Sequence, residues 1–216
     1  MNSLRKIKFL ILFFPTALQE RPLQKRIVKD LWFFIDGFKP FRENRLRVLP
    51  ELGRQWYLSF DILPGKKVFN SWTNIVHSTI GGNNKNVGDR IPAVWFRPRT
   101  TGLCICTALG NDKNYCYNHG NLPKNRFTNV QVRQTWSTEE NVYKYIITID
   151  GRVVRRVTNT RAQVFKKVAL WASSPWHKTA NAFVRNLVFK NLPNGKNRNV
   201  YIIIIILFIL TNRRIM

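Results

Sequence analysis

The chain reads as an all-β protein built as an antiparallel sandwich or barrel, and three observations say so. Between residues 54 and 191 it is a succession of short apolar segments rich in Val, Ile, Phe, Trp and Tyr, broken at near-regular spacing by Gly, Pro, Asn and Asp. Several of those segments alternate with the two-residue period of a strand buried on one face. Heptad or long helical periodicity is missing from the same stretch, so helix should be scarce.

Taken in order, residues 20–50, which carry Lys29-Asp30-Leu31-Trp32-Phe33-Phe34, suit one short helix or an edge strand. Trp56, Leu58, Phe60 and Ile62 form one apolar face, with Tyr57, Ser59 and Asp61 on the other, and Leu63-Pro64-Gly65 ends that strand with turn chemistry. Further strands are expected at 73–80, 91–96, 102–108, 127–134, 142–149, 152–157, 165–172 and 183–190. Gly81-Gly82-Asn83-Asn84 and Gly110-Asn111-Asp112 mark loops. Asp150-Gly151 between two β-rich runs predicts a two-residue hairpin turn, because both central positions need positive φ. Its register pairs Ile149 with Arg152, Ile147 with Val154 and Tyr145 with Arg156.

The ends differ from the middle. Residues 1–19 run from Arg5, Lys6 and Lys8 through Phe9-Leu10-Ile11-Leu12-Phe13-Phe14 to Pro15-Thr16-Ala17, the layout of a secretory signal. Read as a signal, it implies a protein outside the cell; the alternative is a plain amphipathic or apolar leader. Residues 20–45 form an N-terminal extension, 46–191 the sandwich, and 192–216 a tail whose apolar run at 201–210 is flanked by Lys196, Arg198, Arg213 and Arg214. As a helix that run would reach only ~15 Å, against the ~30 Å of bilayer hydrocarbon, too short for a comfortable span, which leaves open both membrane association and a tail outside the functional fold.

The 216 residues carry a formal net charge of +25, with 44% hydrophobic and 13% aromatic residues. That composition supports a packed core and argues against global disorder. The basic residues are dispersed from Arg5 to Arg214, with only short local runs such as Lys66-Lys67, Arg155-Arg156 and Lys166-Lys167. Dispersed charge without a nucleic-acid motif argues against specific nucleic-acid recognition. It suits a solvated surface or an acidic polymer such as a sulfated glycan, an anionic membrane or RNA.

Of the cysteines, Cys106 and Cys116 stand five residues either side of Asn111. A hairpin centred there sets them opposite each other, ~4.5–5.5 Å apart at Cα, within disulfide range. Cys104 shares a face with Cys106 and is a free thiol, an intermolecular link or a rival partner for Cys116. Zinc with His119 is disfavoured, since Cys-x-Cys followed by Cys ten residues on is not a finger spacing. His77 and His177 are isolated in sequence, and a lone His beside apolar residues is more often a packed core residue than a ligand. Only 11 carboxylates exist, none set at i and i+2 or i+4 on a strand as a glycosidase pair would be, and there is no Gly-x-Ser-x-Gly elbow or phosphate-cradling loop. The reading is non-catalytic, with no cofactor and no metal assigned. No Asn-x-Ser/Thr acceptor occurs.

Three stretches carry a resemblance: Gln55-Trp56-Tyr57-Leu58-Ser59-Phe60-Asp61-Ile62, then Trp72-Thr73-Asn74-Ile75-Val76-His77, then Gly88-Asp89-Arg90-Ile91-Pro92-Ala93-Val94-Trp95-Phe96. Ile149-Asp150-Gly151, Ala172-Ser173-Ser174-Pro175-Trp176-His177 and Val184-Arg185-Asn186-Leu187 agree with them. Over about residues 46–191 the chain resembles the concanavalin A-like lectin/glucanase superfamily, and within it the laminin G-like modules of animal extracellular proteins. The resemblance implies a jelly-roll of two antiparallel sheets. It further implies a binder of glycans, glycosaminoglycans or proteins, sometimes with Ca²⁺, or in the glucanase branch a polysaccharide hydrolase. The chain departs from the glucanase branch in lacking a paired acidic strand. For Ca²⁺ it offers only Asp89 and Asp112 near loops, short of the six to eight oxygens that ion takes. Cys104 stands where relatives often show His.

The expectation is therefore a secreted recognition module for a glycan, in particular an acidic polysaccharide, or for a matrix protein. Its rivals are a degenerate glycoside hydrolase and a membrane-tethered interaction domain. The loops at 81–89 and 110–113 should present the binding residues. The candidates are Asn83, Asn84, Asp89, Arg90, Trp176 and His177. Asp89-Arg90 reads either as a loop-fixing ion pair or as a rim that holds a sugar hydroxyl or carboxylate. Trp95, Trp171 and Trp176 are core aromatics or stacking platforms, with Trp176, after its Ser-Ser-Pro turn, the best placed for exposure.

Overall fold

The computed structural model describes residues 32–40 and 43–192. The secretory-type leader and the apolar tail lie outside the described residues. Thirteen strands follow in chain order: β1 (Trp32–Phe38), β2 (Arg45–Leu52), β3 (Trp56–Pro64), β4 (Thr73–Thr79), β5 (Ala93–Phe96), β6 (Gly102–Leu109), β7 (Asp112–Asn121), β8 (Thr128–Ser137), β9 (Val142–Ile149), β10 (Arg152–Asn159), β11 (Phe165–Trp171), β12 (Lys178–Thr179) and β13 (Ala182–Asn191). Among the described residues there is no helix. One sheet runs β1-β13-β3-β8-β9-β10 and the other β2-β11-β4-β5-β6-β7, with the short β12 added parallel to β4. The fold is an antiparallel two-sheet jelly-roll sandwich; the alternating segments predicted antiparallel sheets, and the resemblance implied the jelly-roll.

The two-residue period decides which side chains meet between the sheets. From the first sheet come Trp56, Leu58, Phe60 and Ile62 of β3, Val130 and Val132 of β8, and Tyr145, Ile147 and Ile149 of β9. From the second come Ile75 of β4, Val94 and Phe96 of β5, Leu103 and Ile105 of β6, and Val168 and Leu170 of β11. Each such side chain, fully buried, contributes about 1.5–3 kcal/mol.

Two expectations need correction. The segment assigned to the N-terminal extension supplies β1, an edge strand paired with β13 from Trp32↔Lys190 to Phe38↔Val184. Strand pairing therefore extends the sandwich back to residue 32, and the helix alternative does not hold for residues 32–38. At the Asp150-Gly151 turn both residues take positive φ, 46° and 78°, as a two-residue hairpin requires. Ile149 pairs with Arg152, but a bulge between Val153 and Arg155 shifts the rest, so that Arg155 faces Ile147 and Val157 faces Tyr145. The physical reason is the spacing of Val154 and Val157. Three residues apart, they both pack against the core only if one extra residue is inserted.

Candidate functional site

On β5 and β6 the residues between the core positions point the other way. Ala93, Trp95, Cys104 and Cys106 form a second buried cluster on the outer face of the second sheet. A sheet face turned from the core is normally wet. Here it is covered by two connections, the loop before Ile91 and the segment after Trp171. Between them lies a hollow of about 260 Å³, lined by Trp72, Arg90, Trp95, Cys104, Cys106, Asn114, Cys116 and His177.

Arg90 enters from the first covering loop. Its guanidinium sits over the Trp95 ring, with Cζ 4.4 Å from the centroid. Nε donates to Asn83 O at 2.9 Å, Nη1 to Asn114 Oδ1 at 2.5 Å and Nη2 to Asn83 Oδ1 at 3.3 Å. Arg90 is only 7% exposed, and among the described residues no carboxylate forms an ion pair with it. Burial lowers its pKa, partly offset by Cys104 and Asp89.

The expected Asp89–Arg90 ion pair is not formed. Asp89 Oδ2 instead accepts the backbone amides of Lys85 (2.8 Å) and Asn86 (2.9 Å). Its carbonyl accepts the Nε2–H of His77 at 2.7 Å. An acid 3% exposed and spent on its own loop's amides fixes the loop rather than lining a rim. Asn83 therefore acts through Arg90, while Asn84 is exposed at the loop tip and does not line the hollow.

The second covering segment presents Trp176 and His177. Trp176 is 40% exposed and Trp72 is 44% exposed, so both are surface platforms rather than core residues. The His177 ring stands edge-on to Trp95 at 5.4 Å, and the His77 ring lies 5.6 Å from Trp95 and 5.2 Å from Trp176. A second, wider concavity lined by Phe69, Pro175, Trp176, His177, Lys178 and Thr179 shares His177 with the first. Lys178 and Lys67 both lie over the Phe69 ring, at 4.2 and 5.4 Å.

Asn74, 0% exposed, holds this segment down. Its Nδ2 donates to Val76 O (3.2 Å) and Val94 O (3.1 Å), and its Oδ1 accepts the amide of Ser174 at 2.8 Å. His77 is also fully buried, and burial pushes its pKa down to about 3, against the opposing hydrogen bond to Asp89. It is a neutral packing residue, as a lone His beside apolar residues should be.

The floor carries sulfur. Cys106 faces Cys116 across β6 and β7 and is bonded to it, so the pairing read from the Asn111 hairpin is correct. Cys104 is a free, buried thiol whose Sγ lies 3.5 Å from Cys106 Sγ. His119 is not part of this group. Its Nδ1 lies 3.4 Å from the Tyr117 hydroxyl. Asp112, offered for Ca²⁺, accepts the Asn114 amide at 2.8 Å.

The structure thus brings Arg90 and His177 to one hollow, with Trp176 on its flank, and sets Asp89 and Asn83 behind them. Sequence reasoning missed Trp72, Asn114 and Asn74 as parts of the site and left Trp95 open between core and platform. For Trp95 a signal existed, since alternation with Val94 and Phe96 puts it on the opposite face. Asn114 and Asn74 act across the fold, and local pattern carries no trace of that.

No protein-family model matches the chain, and no curated protein matches it. Among solved structures it is similar to domains LG4-5 of the mouse laminin α1 chain (14% identity, TM-score 0.47, covering 74% of this chain and 45% of that one). It is similar also to the receptor-binding domain of botulinum neurotoxin D (14%, TM-score 0.46, 73% and 38%) and to alginate lyase vAL-1 from Chlorella virus (11%, TM-score 0.42, 66% and 72%). The chain spans less than half the length of the laminin and toxin chains.

Proposed function

We propose that the hollow is a binding site for an acidic glycan and that the chain is a non-catalytic recognition module. The observation that carries this is the buried charge of Arg90, met only by neutral oxygens of Asn83 and Asn114. A guanidinium has five N–H donors, and three are used here, leaving two donors and a full charge beside the hollow. The neighbouring Asp89 carboxylate is spent on backbone amides and does not reach the guanidinium, so a carboxylate or sulfate arriving through the hollow would supply the direct charge partner that Arg90 lacks. Trp72 and Trp176 provide exposed aromatic faces on which sugar rings pack. The concavity around Phe69, Lys67 and Lys178 continues the track, which suits an extended polyanion more than a single sugar. Among the described residues no carboxylate lines the hollow, which favours binding over hydrolysis. A secreted location and a membrane contact through the tail belong to the same reading and rest on the leader and the apolar run alone.

Calorimetry with uronic-acid and sulfated oligosaccharides against neutral ones of equal length tests it. The expected result is preference for the acidic set, and a loss of about tenfold or more in Arg90→Met, where one charge-assisted contact is removed. Trp176→Ala, at a surface position, should also weaken binding by removing an aromatic face. Equal binding of neutral and acidic sugars would sink the proposal. Release of reducing ends from a polysaccharide panel, abolished by one carboxylate substitution, would restore the hydrolase reading.

A further inference from the structure

We propose that Cys104, Cys106 and Cys116, once the disulfide is reduced, form a three-thiolate site for a soft metal ion. Cys104 and Cys106 share a face of β6, two residues apart, and Cys116 stands opposite Cys106 on β7. Their three sulfur atoms all lie within 4.8 Å of one another, with Cys104 and Cys106 at 3.5 Å. A metal–sulfur bond of about 2.3 Å places ligand sulfurs about 3.8–4.0 Å apart in tetrahedral or trigonal geometry. Cys104 and Cys106 already stand close to that spacing. Only Cys106 and Cys116 must part, and a turn of two side chains achieves it.

The chemistry balances simply. A dithiol reductant gives two electrons and two protons to the Cys106–Cys116 bond, yielding two thiols and its own disulfide. Binding then exchanges three thiol protons for one metal ion. Three thiolates around a monovalent or divalent ion leave a net negative centre, and the guanidinium of Arg90, which lines the same hollow, lies on hand to balance it. All-sulfur donors with no oxygen select Cu(I), Cd²⁺ or Zn²⁺ over Ca²⁺ or Mg²⁺. With three protein ligands, a divalent ion would keep an open fourth position facing the hollow. Cys116 is exposed, so the ion has a path in. The oxidised chain, with two sulfurs tied to each other, cannot hold the metal, and redox state therefore gates the site. The inference stands independently of any glycan.

The test uses the full chain, reduced with dithiothreitol without oxygen, desalted, and titrated with Cd²⁺ alone. The expected result is a sulfur-to-cadmium charge-transfer band saturating at one ion per chain, with the reduced Cys106 and Cys116 protected from alkylation, and no band from the oxidised protein. Cys104→Ser should weaken binding by about 100-fold or more, since even an outer-shell partner is worth about 10–100-fold. Should reduction loosen the fold, Cd²⁺ must raise the melting temperature of the reduced wild type and leave that of Cys104→Ser unmoved. A reduced chain that takes up no Cd²⁺, or a Cys104→Ser chain that binds it equally well, overturns the proposal.

Discussion

Asn74 accepts the amide of Ser174 across 100 residues of chain, at 2.8 Å and out of reach of water. With its two donors spent on Val76 and Val94, one side chain ties β4, β5 and the segment bearing Trp176 and His177 into a unit. Much of the site depends on such ties between distant segments.

Asn74→Ala should accordingly cost about 2–4 kcal/mol, because a buried donor and buried acceptors lose their partner. A urea titration reads this as a lower midpoint at unchanged slope. Glycan affinity should fall too, although Asn74 does not line the hollow. A variant of wild-type stability would show that the tie is dispensable.

Gly82 lies against the Asp89 carboxylate, and a Cβ built there would meet Oδ1 at 2.3 Å. Gly82→Ala should therefore displace a buried acid from the amides it caps, at a cost of about 1–3 kcal/mol. Gly120→Ala, where a Cβ meets nothing within 4 Å, is the control and should be neutral. Thermal unfolding of the pair checks this.

His77 sets a pH dependence. Its folded pKa is held near 3 by burial, below the ordinary 6.5, so the unfolded chain binds the proton first. Stability is then full above pH 6.5 and is lost as pH falls towards 3, by about 2 kcal/mol between pH 7 and pH 5. Burial also lowers the pKa of His177, which adds in the same direction. Denaturant midpoints across that range should fall with acidity, and His77→Gln should flatten the slope.

The Cys106–Cys116 bond closes a loop with a separation of 10 residues. Chain-entropy reasoning sets its loss, in the double Ser variant, at about 2.5–3 kcal/mol. Cys104 should stay inert to alkylating reagents in the native protein at neutral pH, because burial pushes its thiol up to about 11. Mass spectrometry after alkylation, native against denatured, reads this directly.

Binding of a sulfated polysaccharide should weaken steeply with added salt, since each basic contact releases condensed counterions. Affinity that ignores ionic strength would exclude the polyanion.

What the residues settled by themselves was local. Alternation with period two placed Leu58, Phe60 and Ile62 inside. Asp150-Gly151 set a turn, and equal spacing about Asn111 matched Cys106 to Cys116. Strand period, turn conformation and hairpin register depend on neighbours a few residues away, so they can be read along the chain. The register beyond Val153 could not, because the bulge answers to the core that Val154 and Val157 must reach. Nor could the hollow. Arg90 is buried by Asn83 and by Asn114 on β7, Trp95 is covered from both sides, and Ser174 is pinned from β4. Burial and charge compensation depend on everything that surrounds a group in space, and only the closed sandwich brings those groups together.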